Sequence, residues 1–306
     1  MKTLNEFIAD LVVGEPSLIN RMRVTPVFTS EDRHMPYLEL DEALKQGAVK
    51  ITEVSEGGSV PLLEVSNLSD RDVIILDGEE LLGAKQNRIV NTTIIVPAKA
   101  KVTIPVSCVE QSRWRYTSRE FSSSRSLLYP SLRSRKSGSV TESLRRGHGH
   151  TSDQSEIWGD IRAKFERMES ESETSAMSDM FESSVERHDE ELRQGIPHRE
   201  RQVGFLAFIN GGFAGGDLFG SPDLCRRKFQ KLLRSYYLDA LDTGVKFPAL
   251  TVEQIFEQIR NAPQERFESV GKGTELRFET DKLQGAWVLV DEFIPHLMML
   301  PKLSDN

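Results

Sequence analysis

The chain has 306 residues, 38% of them hydrophobic and 28% charged, and a formal net charge of −8 at neutral pH. That is enough for a substantial core and fits an ordinary water-soluble protein, while the negative charge argues against global recruitment to nucleic acid or an anionic membrane. Two cysteines, Cys108 and Cys225, cannot form a disulfide framework; the first ten residues lack a signal-peptide core, and no apolar run approaches the roughly 20 residues of a membrane helix. A cytoplasmic, reduced, membrane-free setting is the expectation.

Leu4, Phe7, Ile8 and Leu11 recur at helical spacing, so a short helix opens the chain. Residues 23–28, 49–54, 62–66, 73–76, 89–96 and 101–106 are rich in Val, Ile and Thr and are punctuated by Gly, Pro, Asn and Asp, which predicts strands. The run Val73-Ile74-Ile75-Leu76 does not alternate and predicts a strand buried on both faces. The close spacing favours antiparallel pairs over βαβ crossovers. Between residues 112 and 146 serine dominates, and nine Lys/Arg stand against two Glu. So little apolar surface predicts a flexible basic loop over 115–151.

Residues 152–194 read as an acidic helical segment. Ile157, Ile161, Phe165 and Met168 make one stripe, Met177, Phe181 and Val185 another, and 169–175 interrupts them. Residues 203–209 return to strand, and Gly211-Gly212 suits a hairpin turn. Ser221-Pro222 reads as an N-cap and first helical residue, followed by one face of Cys225, Phe229, Leu233, Tyr236 and Ala240. A helix over 252–260 and strands near 276–279, 286–290 and 295–300 complete the chain. The expectation is one α+β domain over 1–306, an antiparallel β-rich core, sandwich or barrel-like, with helices inserted in the second half.

Chemistry concentrates in two segments. Gly78-Glu79-Glu80-Leu81-Leu82-Gly83-Ala84-Lys85-Gln86-Asn87-Arg88 packs carboxylates, cations and amides between two strands. The plainer reading of it is a polar β-turn. In the second, alternation from Val102, Ile104 and Val106 carries Cys108 and Glu110 onto an apolar face, where a carboxylate is costly unless paired or at the mouth of a site. Gln111, Arg113 and Trp114 follow. Arg offers a planar fork for phosphate and Trp a stacking face; a simple Glu110–Arg113 pair is the plainer alternative. Cys108 is a nucleophile only if its pKa is lowered, and otherwise a small buried residue; Cys225 belongs to a core stripe. His148-Gly149-His150 lacks a third metal ligand nearby. The glycines of 210–217 fit neither GxGxxG nor a P-loop. No metal site and no cofactor is expected.

Leu76-Asp77-Gly78-Glu79-Glu80-Leu81-Leu82-Gly83-Ala84-Lys85-Gln86-Asn87-Arg88, with Val106-Ser107-Cys108-Val109-Glu110-Gln111-Ser112-Arg113-Trp114, resembles the ADP-ribosylglycohydrolase- and rhodanese-phosphatase-associated protein family. Gly215-Gly216-Asp217-Leu218-Phe219 and the helix to Ala240 resemble its C-terminal part. The resemblance implies an association with enzymes of ADP-ribose metabolism and no defined activity. Two readings follow. In the first, an ADP-ribose-like or other phosphorylated ribose nucleotide binds in a polar cleft: Lys85, Arg88 and Arg113 hold phosphate, Gln86 and Asn87 bond ribose, Trp114 stacks, Cys108 and Gln111 line the site, and Glu79, Glu80 or Glu110 holds a diol or acts as a base. In the second, a non-catalytic module binds a protein through the Ser/Arg-rich loop and acidic helices. Nucleic acid is not an expected partner.

Overall fold

The computed structural model describes residues 3–30, 34–55 and 61–303. It is a mixed α/β fold with antiparallel sheets, one of them a half-barrel, and with most of its helix in the second half. The larger sheet has nine strands. Its order is Leu11–Val13, Met22–Thr29, Gln202–Ile209, Gly212–Phe219, His296–Pro301, Leu283–Leu289, Thr274–Glu279 and Gln264–Glu268, with Ser17–Ile19 also pairing with Met22–Thr29. The central strands bury both faces. One lies against the helix Pro222–Leu241, the other against the helices Leu4–Ala9 and Val252–Asn261.

The half-barrel holds six antiparallel strands in the order Phe121–Leu127, Glu79–Gly83, Arg88–Val90, Lys101–Cys108, Leu62–Asn67 and Val49–Glu53. Its concave face is filled by Val49, Ile51, Leu63, Val65, Leu81, Val90, Ile104 and Val106. The two end strands approach without hydrogen bonding to each other among the described residues, and Lys50 and Glu120 form an ion pair across this seam. The Val73-Ile74-Ile75-Leu76 run is fully buried, as its lack of alternation requires. Val73–Ile75 is the middle of a small third sheet, where it pairs in parallel with Leu38–Glu39, an exception to the antiparallel expectation. The stretch predicted as one strand over 89–96 is two, because Asn91-Thr92-Thr93 carries the chain from the half-barrel to the third sheet.

The hairpin after residue 209 turns on Asn210 and Gly211, both at positive φ, as a tight two-residue turn demands. Ser221 caps the following helix and Pro222 opens it.

The flexible loop predicted over 115–151 is corrected. Phe121–Leu127 is a half-barrel strand and Pro130–Arg145 a sixteen-residue helix. This helix is ordered by buried charge. Arg133 and Lys136 are about 1% exposed and reach Asp77, and Arg133 also reaches Asp217 in the nine-stranded sheet. Counting apolar residues missed it because the buried faces of those cations are their aliphatic stems. Over 152–194 the helices Gln154–Arg167 and Asp189–Gly195 flank a short helical stretch from Met177, and residues 169–175 lie between. Among the described residues no helix is long and apolar enough to cross a membrane.

Candidate functional site

Strand register brings the two nominated segments together. Arg88 pairs with Leu81 on one side and with Cys108 on the other, while Glu80 pairs with Ile89. Paired residues share a face. Glu79, Leu81, Arg88 and Cys108 therefore belong to the concave face of the half-barrel, and Glu80 and Ile89 to the convex one. The Lys101–Cys108 strand ends at Cys108, and Glu110 sits just beyond in a bridge to Ala176.

Gln86, Asn87, Glu110 and Arg113 spend their polar groups on one another. Arg113 Nε donates to Glu110 Oε1 at 2.7 Å and Nη2 to Glu110 Oε2 at 2.6 Å and Asn87 Oδ1 at 3.1 Å. Its Nη1 donates to the Ala84 and Arg115 carbonyls at 2.8 and 3.0 Å. The Asn87 N–H donates to Glu110 Oε2 at 3.0 Å, and Gln86 Nε2 to the Glu110 carbonyl at 2.8 Å. Burial works against the Glu110 carboxylate, but the Arg113 bonds and the Asn87 N–H outweigh it and hold the carboxyl below its usual range. Gln111 is half-buried and takes part through its carbonyl. The whole is a staple between the 83–88 turn and the 110–117 segment. Gly83, at φ +128°, lets that turn pass Ser118, whose Oγ would lie 2.5 Å from a Cβ there. Arg113 thus has no fork left for a phosphate, and Glu110 is not poised as a base.

Glu79 and Glu80 point apart. The Glu79 carboxylate is held by Lys228 at 2.6 Å and Lys231 at 2.5 Å, which also bind Asp41. Glu80 is fully buried, and among the described residues no donor meets its oxygens in good hydrogen-bond geometry; burial pushes its carboxyl up to about 7, with the Ser124 hydroxyl and Lys231 offsetting only part. An unfolded chain releases that proton near 4.5, so the folded state gains most below that pH and loses the gain as pH rises through 7. The difference amounts to about 3 kcal/mol. Denaturant titrations should therefore show wild-type stability falling by about that much, relative to Glu80→Gln, between about pH 4 and about pH 8. An equal difference at both pH values would show an ordinary carboxyl.

The polar atoms left over gather at one mouth of the half-barrel. Arg88 is fully buried. Its Nη1 donates to Gln86 Oε1 at 3.0 Å and to Cys108 Sγ at 2.8 Å, but among the described residues Nε and Nη2 have no hydrogen-bond partner. Nη2 lies 3.9 Å from Oε1 of Glu53, a buried carboxylate whose two oxygens are also unpartnered. Glu53 lines a cavity of about 750 Å³ with Thr52, Ser55 and residues 116–119. Trp114 and Tyr116 are each half exposed here, the Arg88 guanidinium lies 6.0 Å from the Trp114 ring, and Lys85 Nζ is 5.2 Å from both rings. Burial pushes the Cys108 thiol up to about 11, with Arg88 offsetting part, which favours the small buried residue over the nucleophile.

Lys85, Arg88, Cys108 and Trp114 thus meet at this mouth, whereas Glu79, Glu80, Glu110 and Arg113 lie in other networks. Sequence reasoning missed Glu53 and Tyr116. The signal for Glu53 was present: Val49 and Ile51 alternate onto an apolar face that Glu53 continues, the same argument applied to Glu110. Elsewhere His150 bonds Glu275, and among the described residues no cluster of His, Cys, Asp and Glu is arranged to hold a metal ion.

Neither curated proteins nor solved structures gave a match to this chain. A family profile did, over residues 10–300: the ARG and Rhodanese-Phosphatase-superfamily-associated Protein domain, whose name records association with other proteins. With nearly the whole chain covered, the protein belongs to that family.

Proposed function

We propose that the half-barrel mouth binds a ribonucleotide-type ligand, with ADP-ribose the first compound to test. The observation that carries this reading is Glu53, which lines a cavity flanked by exposed aromatic rings and whose carboxylate, enclosed beside Arg88, has no hydrogen-bond partner among the described residues. A carboxylate is the group that accepts both hydroxyls of a ribose diol. Arg88 behind it supplies the counter-charge, Trp114 or Tyr116 offers a stacking face for a base, and Lys85 adds a positive charge at the lip. The reading is one of binding; the three nominated carboxylates do not converge on this cavity with a nucleophile.

The alternative, a protein-interaction module working through a Ser/Arg-rich loop, has less support, because Arg133 and Lys136 of that segment are buried in ion pairs. A reduced, cytoplasmic setting belongs to the same proposal and is supported by two free, buried cysteines.

The test is calorimetric titration with ADP-ribose, NAD, AMP and adenosine, repeated on Glu53→Gln. Loss of a charged contact to the ribose should weaken binding about ten- to a hundredfold. Absence of binding by all four at millimolar concentration, or undiminished binding by Glu53→Gln, would overturn the proposal.

A further inference from the structure

The seam of the half-barrel is a second cavity, next to the first. It has a volume of about 640 Å³ and lies where the end strands Val49–Glu53 and Phe121–Leu127 fail to pair. Helices close its other sides. Seven Lys/Arg side chains line it against three carboxylates, in a chain whose net charge is −8.

The positive charge is arranged. Arg227, Lys231 and Arg234 recur on one face of the helix Pro222–Leu241, and Arg125 comes from the facing strand; of these, Arg227 is already paired with Glu42 and Asp223, and Lys231 with Asp41 and Glu79, which leaves Arg125 and Arg234 as the forks nearest the space. Asp189 is shared between the Arg125 and Arg234 guanidinium groups, so one carboxylate serves two cations. Arg234 is mostly buried and its Nε has no hydrogen-bond partner. The Arg125–Glu186 pair is more than half exposed, and such pairs contribute little and yield readily to a better anion. Ser122, Ser123 and Ser124 line the cavity from an end strand whose outer edge is unpaired among the described residues, which offers hydroxyls and an open strand edge to the seam.

The geometry points to this seam cavity as a binding site for the phosphate groups of a small molecule carrying two or more of them. Guanidinium forks with hydroxyl and backbone donors are the set that recognises phosphate oxygens, and the volume suits a small molecule. The site stands on its own residues, but its position gives it a partner. Lys50 and Glu120 line the seam cavity, and Thr52 and Arg119 line the mouth, so the two cavities are divided by the exposed Lys50–Glu120 ion pair. A nucleotide seated by Glu53 would extend its phosphates past that pair into the seam. This last step rests on the mouth being a nucleotide site; the phosphate site does not.

Inorganic pyrophosphate and tripolyphosphate, titrated into the full chain, test the phosphate site without any nucleoside. Binding should weaken about tenfold or more in the double variant Arg125→Gln/Arg193→Gln, whose side chains both line the cavity and are each more than half exposed. Glu120→Gln removes the carboxylate between the cavities and should tighten binding about threefold, a gain that misfolding cannot imitate. Glu53→Gln should leave pyrophosphate binding unchanged. No pyrophosphate or tripolyphosphate binding, or binding indifferent to both seam variants, would overturn the site. Adenosine binding that is lost only in Glu53→Gln reports on the mouth, so the two proposals fail separately.

Discussion

Replacing Arg133 with Met should cost about 3–5 kcal/mol of unfolding free energy, a large share of the roughly 5–15 kcal/mol available to a typical domain. Arg133 is about 1% exposed. Its Nε donates to Asp77 Oδ1 at 3.0 Å, and its Nη1 donates to Asp217 Oδ2 at 3.0 Å. Asp77 leads into the half-barrel strand Glu79–Gly83, while Asp217 lies in the nine-stranded sheet, so one guanidinium joins the two. Asp217 also accepts from Tyr236 Oη and bonds His296 Nε2, each at 2.9 Å. Burial alone would raise the Asp217 carboxyl; Arg133 and His296 reverse that and hold it well below the usual range. Met keeps the aliphatic stem and removes the charge, leaving Asp77 with Lys136 alone and Asp217 without its guanidinium. Lys136 still reaches Asp77, so the larger share of the loss falls on Asp217. Denaturant titration measures the loss. A change under about 1 kcal/mol would show that the sheets are held by apolar packing alone.

Arg113→Ala should be the second large effect, again about 3–5 kcal/mol, and it should appear in stability. The substitution leaves the buried Glu110 carboxylate with the Asn87 N–H but no counter-charge, and takes one of the donors from Asn87 Oδ1 and from the Ala84 carbonyl, in a site about 8% exposed. Arg113→Lys should recover only part, because an ammonium cannot span both Glu110 oxygens and the backbone acceptors with one planar fork. A variant that kept its stability and lost ligand affinity would place Arg113 against the ligand, contrary to the geometry described.

These two arginines mark where the sequence was legible and where it was not. Val, Ile and Thr runs punctuated by turn residues found many strands of both main sheets, Gly211-Gly212 announced a hairpin whose turn lies one residue earlier, at Asn210-Gly211, and Ser221-Pro222 announced a helix start. The helix Pro130–Arg145 stayed hidden because serine is an indifferent helix former and its ordering comes from Asp77, Asp217 and Asp239, which lie far off in sequence. The polar run Glu79–Arg88 was visibly unusual, but a string of letters does not show which donors and acceptors satisfy one another. Arg113 looked like a phosphate clamp until the carbonyls of Gly83 and Ala84 were seen to occupy it. Glu53 was missed although its alternation was readable, because no Arg or aromatic residue follows it as Arg113 and Trp114 follow Glu110.

The central claim is that a nucleotide base comes to rest at the half-barrel mouth, and the emission of Trp114 tests it most directly. Trp114 is half exposed and stands beside Lys85 and the Glu53 cavity, whereas Trp287 is buried in the nine-stranded sheet. Stacking of a base on the indole face should quench Trp114 emission. ADP-ribose should therefore reduce the protein's tryptophan fluorescence saturably, with an apparent Kd that matches calorimetry, and Trp114→Phe should remove that change. No change with ADP-ribose at millimolar concentration, or the same change in Trp114→Phe, would contradict the account.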